Sequence, residues 1–117
     1  SAISNLSTAL EFIYEMRNQG CRIALDDFGT GMSSFSYLRT LPVDFIKIDG
    51  EFVKFMDQDK MNFAIVNAIN NIGHEAGLQT IGEFAESSEI IDQLKKLGVD
   101  YAQGYAIERP KELKSCT

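Results

Sequence analysis

Cys21-Arg22-Ile23-Ala24-Leu25-Asp26-Asp27-Phe28-Gly29-Thr30-Gly31-Met32-Ser33-Ser34 decides how the rest of the chain is read. An apolar run ends in two adjacent acids. It passes through a loop with two glycines and reaches two serines suited to opening a helix. A similar run with polar residues at its end recurs at Val43-Asp44-Phe45-Ile46-Lys47-Ile48-Asp49, at Leu78-Gln79-Thr80-Ile81-Gly82-Glu83 and at Val99-Asp100-Tyr101-Ala102-Gln103-Gly104. Helical spacing fills the intervals. Residues 5–19 set Leu6, Leu10, Ile13 and Met16 on one face before Gly20, and residues 33–41 form a short segment closed by Pro42. Residues 59–76 begin at the N-cap Asp59 and carry Phe63, Val66, Ile69, Ile72 and Ala76, while residues 87–97 carry Ile90, Ile91, Leu94 and Leu97 before Gly98. The order αβαβαβαβ predicts an α/β fold of parallel strands joined by right-handed crossovers. The polar stretch from Arg109 to Thr117 is expected to fray.

The chain has 117 residues, 44% of them hydrophobic, which suits one domain or part of a larger one. Eleven basic and 17 acidic residues leave a net charge of −6. That balance excludes the broad basic surface of a non-specific DNA binder. An anionic ligand would need a local cation to offset the field. No apolar run approaches the roughly 20 residues of a membrane span, and Ser1-Ala2-Ile3-Ser4-Asn5 does not read as a signal peptide. Membrane contact from this segment is therefore not expected. Cys21 and Cys116 do not make a disulfide framework. Reduced thiols in the cytoplasm are expected, with Cys21 a small core residue.

Polar residues gather where the strands end. Asp26, Asp27, Lys47, Asp49, Glu83, Glu86 and Gln103 all fall at or just after C-terminal strand ends, the edge on which parallel α/β folds build sites. Any one of them has a plainer reading, such as a helix cap for an aspartate, an outward lysine on an edge strand, or first-turn charge for Glu86. Four successive strands delivering such groups to one rim favour a site. Adjacent carboxylates repel, and a divalent cation removes the conflict between Asp26 and Asp27. Hard cations such as Mg²⁺ or Mn²⁺ take oxygen ligands of this kind, and one carboxylate can bridge two metals for attack at phosphorus.

Alternation places Phe45, Lys47 and Asp49 on one face of their strand, with Ile46 and Ile48 on the other. Lys47 then points beside the carboxylates. Of Glu83 and Glu86, one suits a metal ligand or general base and the other a loop anchor. Gln103 offers an amide beside Gly104. The loop glycines permit close approach of a ligand, and Ser33 and Ser34 open a helix whose N–H groups suit an anion. Asn70, Asn71 and His74 lie on helix 59–76 away from this rim and are expected on the surface. These residues alone leave open a metal-assisted hydrolase or an enolase-type proton abstraction.

The sequence resembles the EAL-domain family of cyclic-di-GMP phosphodiesterases. The matching stretches are Ala24-Leu25-Asp26-Asp27-Phe28-Gly29-Thr30-Gly31, Ile46-Lys47-Ile48-Asp49, Ile81-Gly82-Glu83-Phe84-Ala85-Glu86, and Gln103-Gly104-Tyr105 with Pro110. The third is looser, since the family often has Glu-Gly-Val-Glu. The resemblance implies the C-terminal half of a TIM-like (β/α)8 barrel, four parallel strands alternating with helices, so that residues 1–117 are a single incomplete domain. It implies Asp26 as a carboxylate shared by two Mg²⁺ or Mn²⁺ ions and Asp27 as a ligand of the second. Lys47 positions the attacking water, and Glu83 and Gln103 belong to the catalytic network. Gly31, Ser33, Glu86 and Pro110 fall on the substrate side or anchor loops, as does Asp49.

The family's Glu-Ala-Leu sequence and the ligands of its earlier strands are absent from this chain. Four strands do not close a barrel that needs about eight. The expected partners are cyclic-di-GMP and either the missing N-terminal half of the domain or a second copy of the chain in a homo-oligomer. The chain alone is expected to hydrolyse poorly. A degenerate domain that binds the nucleotide as a sensor, or serves as a dimerisation module, is the alternative. The parent protein is expected in the cytoplasm, with any membrane anchor carried by other domains.

Overall fold

The structure, a computed structural model, describes residues 2–28, 42–104 and 107–112. Helix α1 (Ala2–Asn18) leads into β1 (Ala24–Phe28). Then follow β2 (Phe45–Ile48), a single turn α2 (Gly50–Val53), α3 (Lys60–Glu75), β3 (Gln79–Gly82), α4 (Ser88–Leu97), β4 (Tyr101–Gly104) and β5 (Ile107–Glu112). The strands form one sheet in chain order, with β1 to β4 parallel and β5 antiparallel to β4. The four parallel strands and their alternating helices are as expected.

Local chemistry explains the boundaries. Asp59 caps α3, its Oδ1 accepting from Met61 N at 2.8 Å and Asn62 N at 3.3 Å. Ser87 caps α4 by accepting from Ile90 N at 3.2 Å. Gly98 ends α4 at φ 83°, a left-handed turn that a side chain would resist. The core lies between one face of the sheet and helices α3 and α4. Ile46 and Ile48 are fully buried and meet Val66 and Ile69 of α3, Ile90 and Leu94 of α4, and Val53 and Met56. Burial of that many aliphatic side chains contributes about 1.5–3 kcal/mol each. On α3 the apolar face ends one turn early, with Ile72 and Ala76 exposed.

The structure corrects four expectations. Residues 107–112 do not fray: they pair with β4, Tyr101 opposite Glu112 and Ala102 opposite Lys111. Charge, and a proline that cannot donate to a ladder, disguise this strand, and β5 bears both on the outer strand of the sheet. Cys21 is exposed ahead of β1 rather than in the core. Asn70 is not a surface residue but 1% exposed. Strand β1 begins and ends later than its apolar run suggests, so Asp26 and Asp27 lie within it. The helix expected at 33–41 falls outside the described residues. Among those residues, no helix is long and apolar enough to cross a membrane.

Candidate functional site

The sheet register assembles the candidate residues in two rows. Ile46 pairs with Thr80, Lys47 with Ile81, and Ile81 with Tyr101. Lys47, Ile81 and Tyr101 therefore share a row across three strands. On the other side, Leu25 pairs with Ile46 and Phe28 with Ile48. Two residues of β1, Asp26 and Asp27, thus stand opposite the single residue Lys47. This irregularity is a bulge, and a bulge breaks strict up-down alternation within a strand. It is the backbone device that sets an adjacent acid pair beside one lysine. Two residues further along come Asp49 and Glu83, just past their strand ends, and Gln103 within β4. Two residues of strand advance about 6.6 Å and neighbouring strands lie about 4.8 Å apart. The backbones of Lys47 and Glu83 are then roughly 8 Å apart by that geometry.

Lys47 sits on an interior strand, which removes the reading of an outward edge lysine. Its neighbours Ile46 and Ile48 are buried in the helix-covered face, and Lys47 itself is half-buried on the other. There it lines a cavity of about 330 Å³ with Arg22, Ala24, Phe45, Ile81 and Tyr101. Arg22 lies 5.8 Å from the Phe45 ring centre, and that ring meets Tyr101 edge-on at 5.6 Å. A second cavity of about 170 Å³ is lined by Glu83, Phe84, Gln103 and Gly104. Oε1 of Glu83 and Oε1 of Gln103 are both shielded from solvent.

The structure therefore brings Glu83 and Gln103 together, and sets Lys47 one row below in a neighbouring cavity. Asp26 and Asp27 join Lys47 by backbone register. Glu86 is exposed, but a side chain at position 104 would stand 3.0 Å from its Oε1, so Gly104 makes room for this carboxylate. Pro110 lies on β5. Gly31 and Ser33 fall outside the described residues.

Asp49 has a settled local task. Its Oδ1 accepts from Glu51 N at 2.8 Å and so caps α2. It anchors the loop after β2. The loop after β3 is stitched on both sides: Glu83 N donates to Ile48 O at 3.2 Å and Ala85 N to Gln103 O at 2.9 Å. Between these two bonds Phe84 turns the chain with φ 56°.

Sequence reasoning missed the opposite rim. Asp44 Oδ2 accepts from Ile23 N at 2.8 Å, and Asp100 Oδ2 accepts from Thr80 N at 2.8 Å. His74 Nε2 meets the same Asp100 oxygen at 2.8 Å. Thr80 Oγ1 donates to Asn70 Oδ1 at 2.6 Å, and Asn70 Nδ2 to Leu97 O at 2.8 Å. The available signal was the repeated Val-Asp-aromatic triplet at 43–45 and 99–101, which places one aspartate at the start of each of two strands.

The donor set suits a hard cation in kind. Asp26, Asp27 and Glu83 are carboxylates by residue type, on an acidic chain. In number it is partial: among the described residues no group of three His, Cys, Asp or Glu side chains is placed to hold a metal.

Acids, a lysine and an amide at the C-terminal ends of parallel strands define a site of the (β/α)-barrel class. The chain belongs to the EAL domain family, whose profile matches residues 1–110. It is 47% identical over 115 residues to the cyclic di-GMP phosphodiesterase PdeB of Shewanella oneidensis, covering 98% of this chain and 13% of that protein. It is 34% identical over 111 residues to the cyclic di-GMP phosphodiesterase PdeA of Borreliella burgdorferi, covering 95% and 17%. Among solved structures, the PaMucR phosphodiesterase in its c-di-GMP complex superposes with a TM-score of 0.78 at 34% identity, covering 91% of this chain and 43% of that one. The FimX EAL domain of Pseudomonas aeruginosa bound to c-di-GMP gives a TM-score of 0.80 at 32% identity, covering 97% and 46%. The chain thus spans under a fifth of the curated relatives cited and less than half of these two solved chains. Its sheet is part of a TIM-like barrel.

Proposed function

We propose that this chain is the C-terminal half of a metal-dependent domain that hydrolyses cyclic-di-GMP to linear pGpG. The observation that carries the reading is the register: an acid pair and Lys47 share one row, with Glu83 and Gln103 two residues further along, in a chain of the EAL family. In this reading Asp26 and Asp27 hold Mg²⁺ or Mn²⁺, with further ligands from outside the chain. Such a cation, when bound, polarises a phosphoryl oxygen and acidifies its water. Lys47 Nζ donates hydrogen bonds toward the phosphoryl group and offsets its developing negative charge. The Glu83 carboxylate orients the attacking water and takes its proton. The Gln103 amide fixes that carboxylate and water by hydrogen bonding. Gly31, Ser33, Glu86 and Pro110 flank the substrate.

The open sheet face around Phe45, Lys47 and Tyr101 becomes the interior when the remaining strands pair with the two outer strands of the sheet. Those strands come from the N-terminal half of the same domain, or from a second copy of the chain in a homo-oligomer. The parent protein works in the cytoplasm, where such a nucleotide is made and consumed.

The test is calorimetry and product analysis on the full-length protein that carries this chain, with and without Mg²⁺. Metal-dependent release of pGpG is expected. Nucleotide binding that needs no metal and yields no pGpG would mark a receptor instead. No nucleotide affinity at all would leave only a scaffold.

A further inference from the structure

Phe84 departs from its surroundings in two independent ways. It is the single non-glycine residue among those described whose φ is positive, at 56°. An L-residue held there costs about 1 kcal/mol or more. It is also pressed into a space that glycine alone leaves open, because ring atom Cδ2 of Phe84 stands where a side chain at position 50 would begin. Phe84 is 40% exposed, so burial of its own area does not account for the arrangement.

The backbone explains why the strain persists. Glu83 is tied to Ile48 of β2 and Ala85 to Gln103 next to Gly104 of β4. The residue between must reverse the chain, and the reversal aims its side chain back across the sheet at Gly50. Gly50 follows Asp49 and lies three residues after Lys47. Asp49 in turn is fixed by its cap on α2. The ring therefore joins the loop that follows Lys47 to the loop that begins with Glu83.

We infer that Phe84 is a positioning residue: its ring, wedged on Gly50, holds the Glu83 carboxylate at a set distance from Lys47. The inference rests on the functional reading above. It requires Phe84 to act through Glu83, so removing the wedge slows the chemical step while nucleotide binding is kept. A misplacement near 1 Å can cost up to about a hundredfold in rate, and a partial loss of order is expected here.

The test is a double-mutant cycle in the full-length protein, with kcat, KM and melting temperature read for each variant. Gly50→Ala forces the ring away, and Phe84→Gly removes it and relieves the turn. Each is expected to lower kcat about tenfold with KM within about threefold. The double variant should be no slower than Phe84→Gly, because the new methyl group enters vacated space. The loss of melting temperature caused by Gly50→Ala should likewise disappear in the Phe84→Gly background. Independent effects, about a hundredfold together, would overturn the inference. So would an unchanged kcat in Gly50→Ala, or a loss confined to KM. If Gly50→Ala does not fold, Phe84→Ala carries the same split between kcat and KM. A wild-type protein without turnover would sink the functional reading as well, whereas an active wild type without coupling sinks this inference alone.

Discussion

At the N-terminal end of the sheet the polar side chains are spent on the fold itself. Asp44 and Asp100 each accept a backbone N–H from the neighbouring strand, and Thr80, Asn70 and His74 complete a connected set of hydrogen bonds. At the C-terminal end, residues of the same chemical types line open cavities instead. Lys47 borders one of about 330 Å³, and Glu83 and Gln103 border another of about 170 Å³. An acid at the start of a strand meets orphan backbone donors and is consumed by them. Past the strand ends the uses divide: Asp49 caps α2, while Glu83 borders a cavity.

The largest expected effect tests the upper rim. In the full-length protein, Lys47→Ala or Glu83→Gln should lower turnover by about a thousandfold or more with the melting temperature within a few degrees. Retained turnover would erase the distinction between the ends. Next, the chain expressed alone should turn over cyclic-di-GMP at least about a hundredfold more slowly than its parent, as pGpG release would show, because its ligand set is partial.

The lower rim should behave in the opposite way. Asn70→Ala removes the short acceptor of the Thr80 hydroxyl, leaving it the longer contact to Asp100 at 3.3 Å, and the donor to Leu97 O, so urea unfolding should report a loss of about 1–3 kcal/mol with turnover preserved. Asp44→Ala, which gives up one partly buried bond to Ile23 N, should cost about 1 kcal/mol. The smallest effect belongs to Arg17→Ala. Arg17 reaches Asp44 at 3.8 Å with both side chains partly exposed, and such pairs contribute about 0–1 kcal/mol.

Much of this was legible in the residues. Period-two alternation around Lys47 correctly set Ile46 and Ile48 on the face opposite Phe45 and Lys47. Asp59 and Gly98 announced helix ends through cap chemistry that acts locally. What escaped needed partners distant in sequence. Asn70 reads as a helix-surface residue until Thr80, ten residues on, arrives to bond it. The bulge at Asp26 and Asp27 is visible only against Lys47 on the next strand. Strand β5 carries charge and a proline, so its pairing is set by β4 rather than by its own propensity. Phe84 reads as a motif variant, and its left-handed turn follows from bonds to two different strands. The fates of Gly31 and Ser33 lie outside the described residues.

The two outer strands are also unlike each other. Strand β5 reads Ile-Glu-Arg-Pro-Lys-Glu over 107–112, while β1 reads Ala-Leu-Asp-Asp-Phe over 24–28. Proline and alternating charge make the first a poor template for another backbone, and natural sheets use those devices against runaway polymerisation. Among the described residues, β1 is thus the outer strand that carries no proline. Closing a barrel on this sheet needs pairing at both borders, so two unlike edges fix which end of the added half meets which.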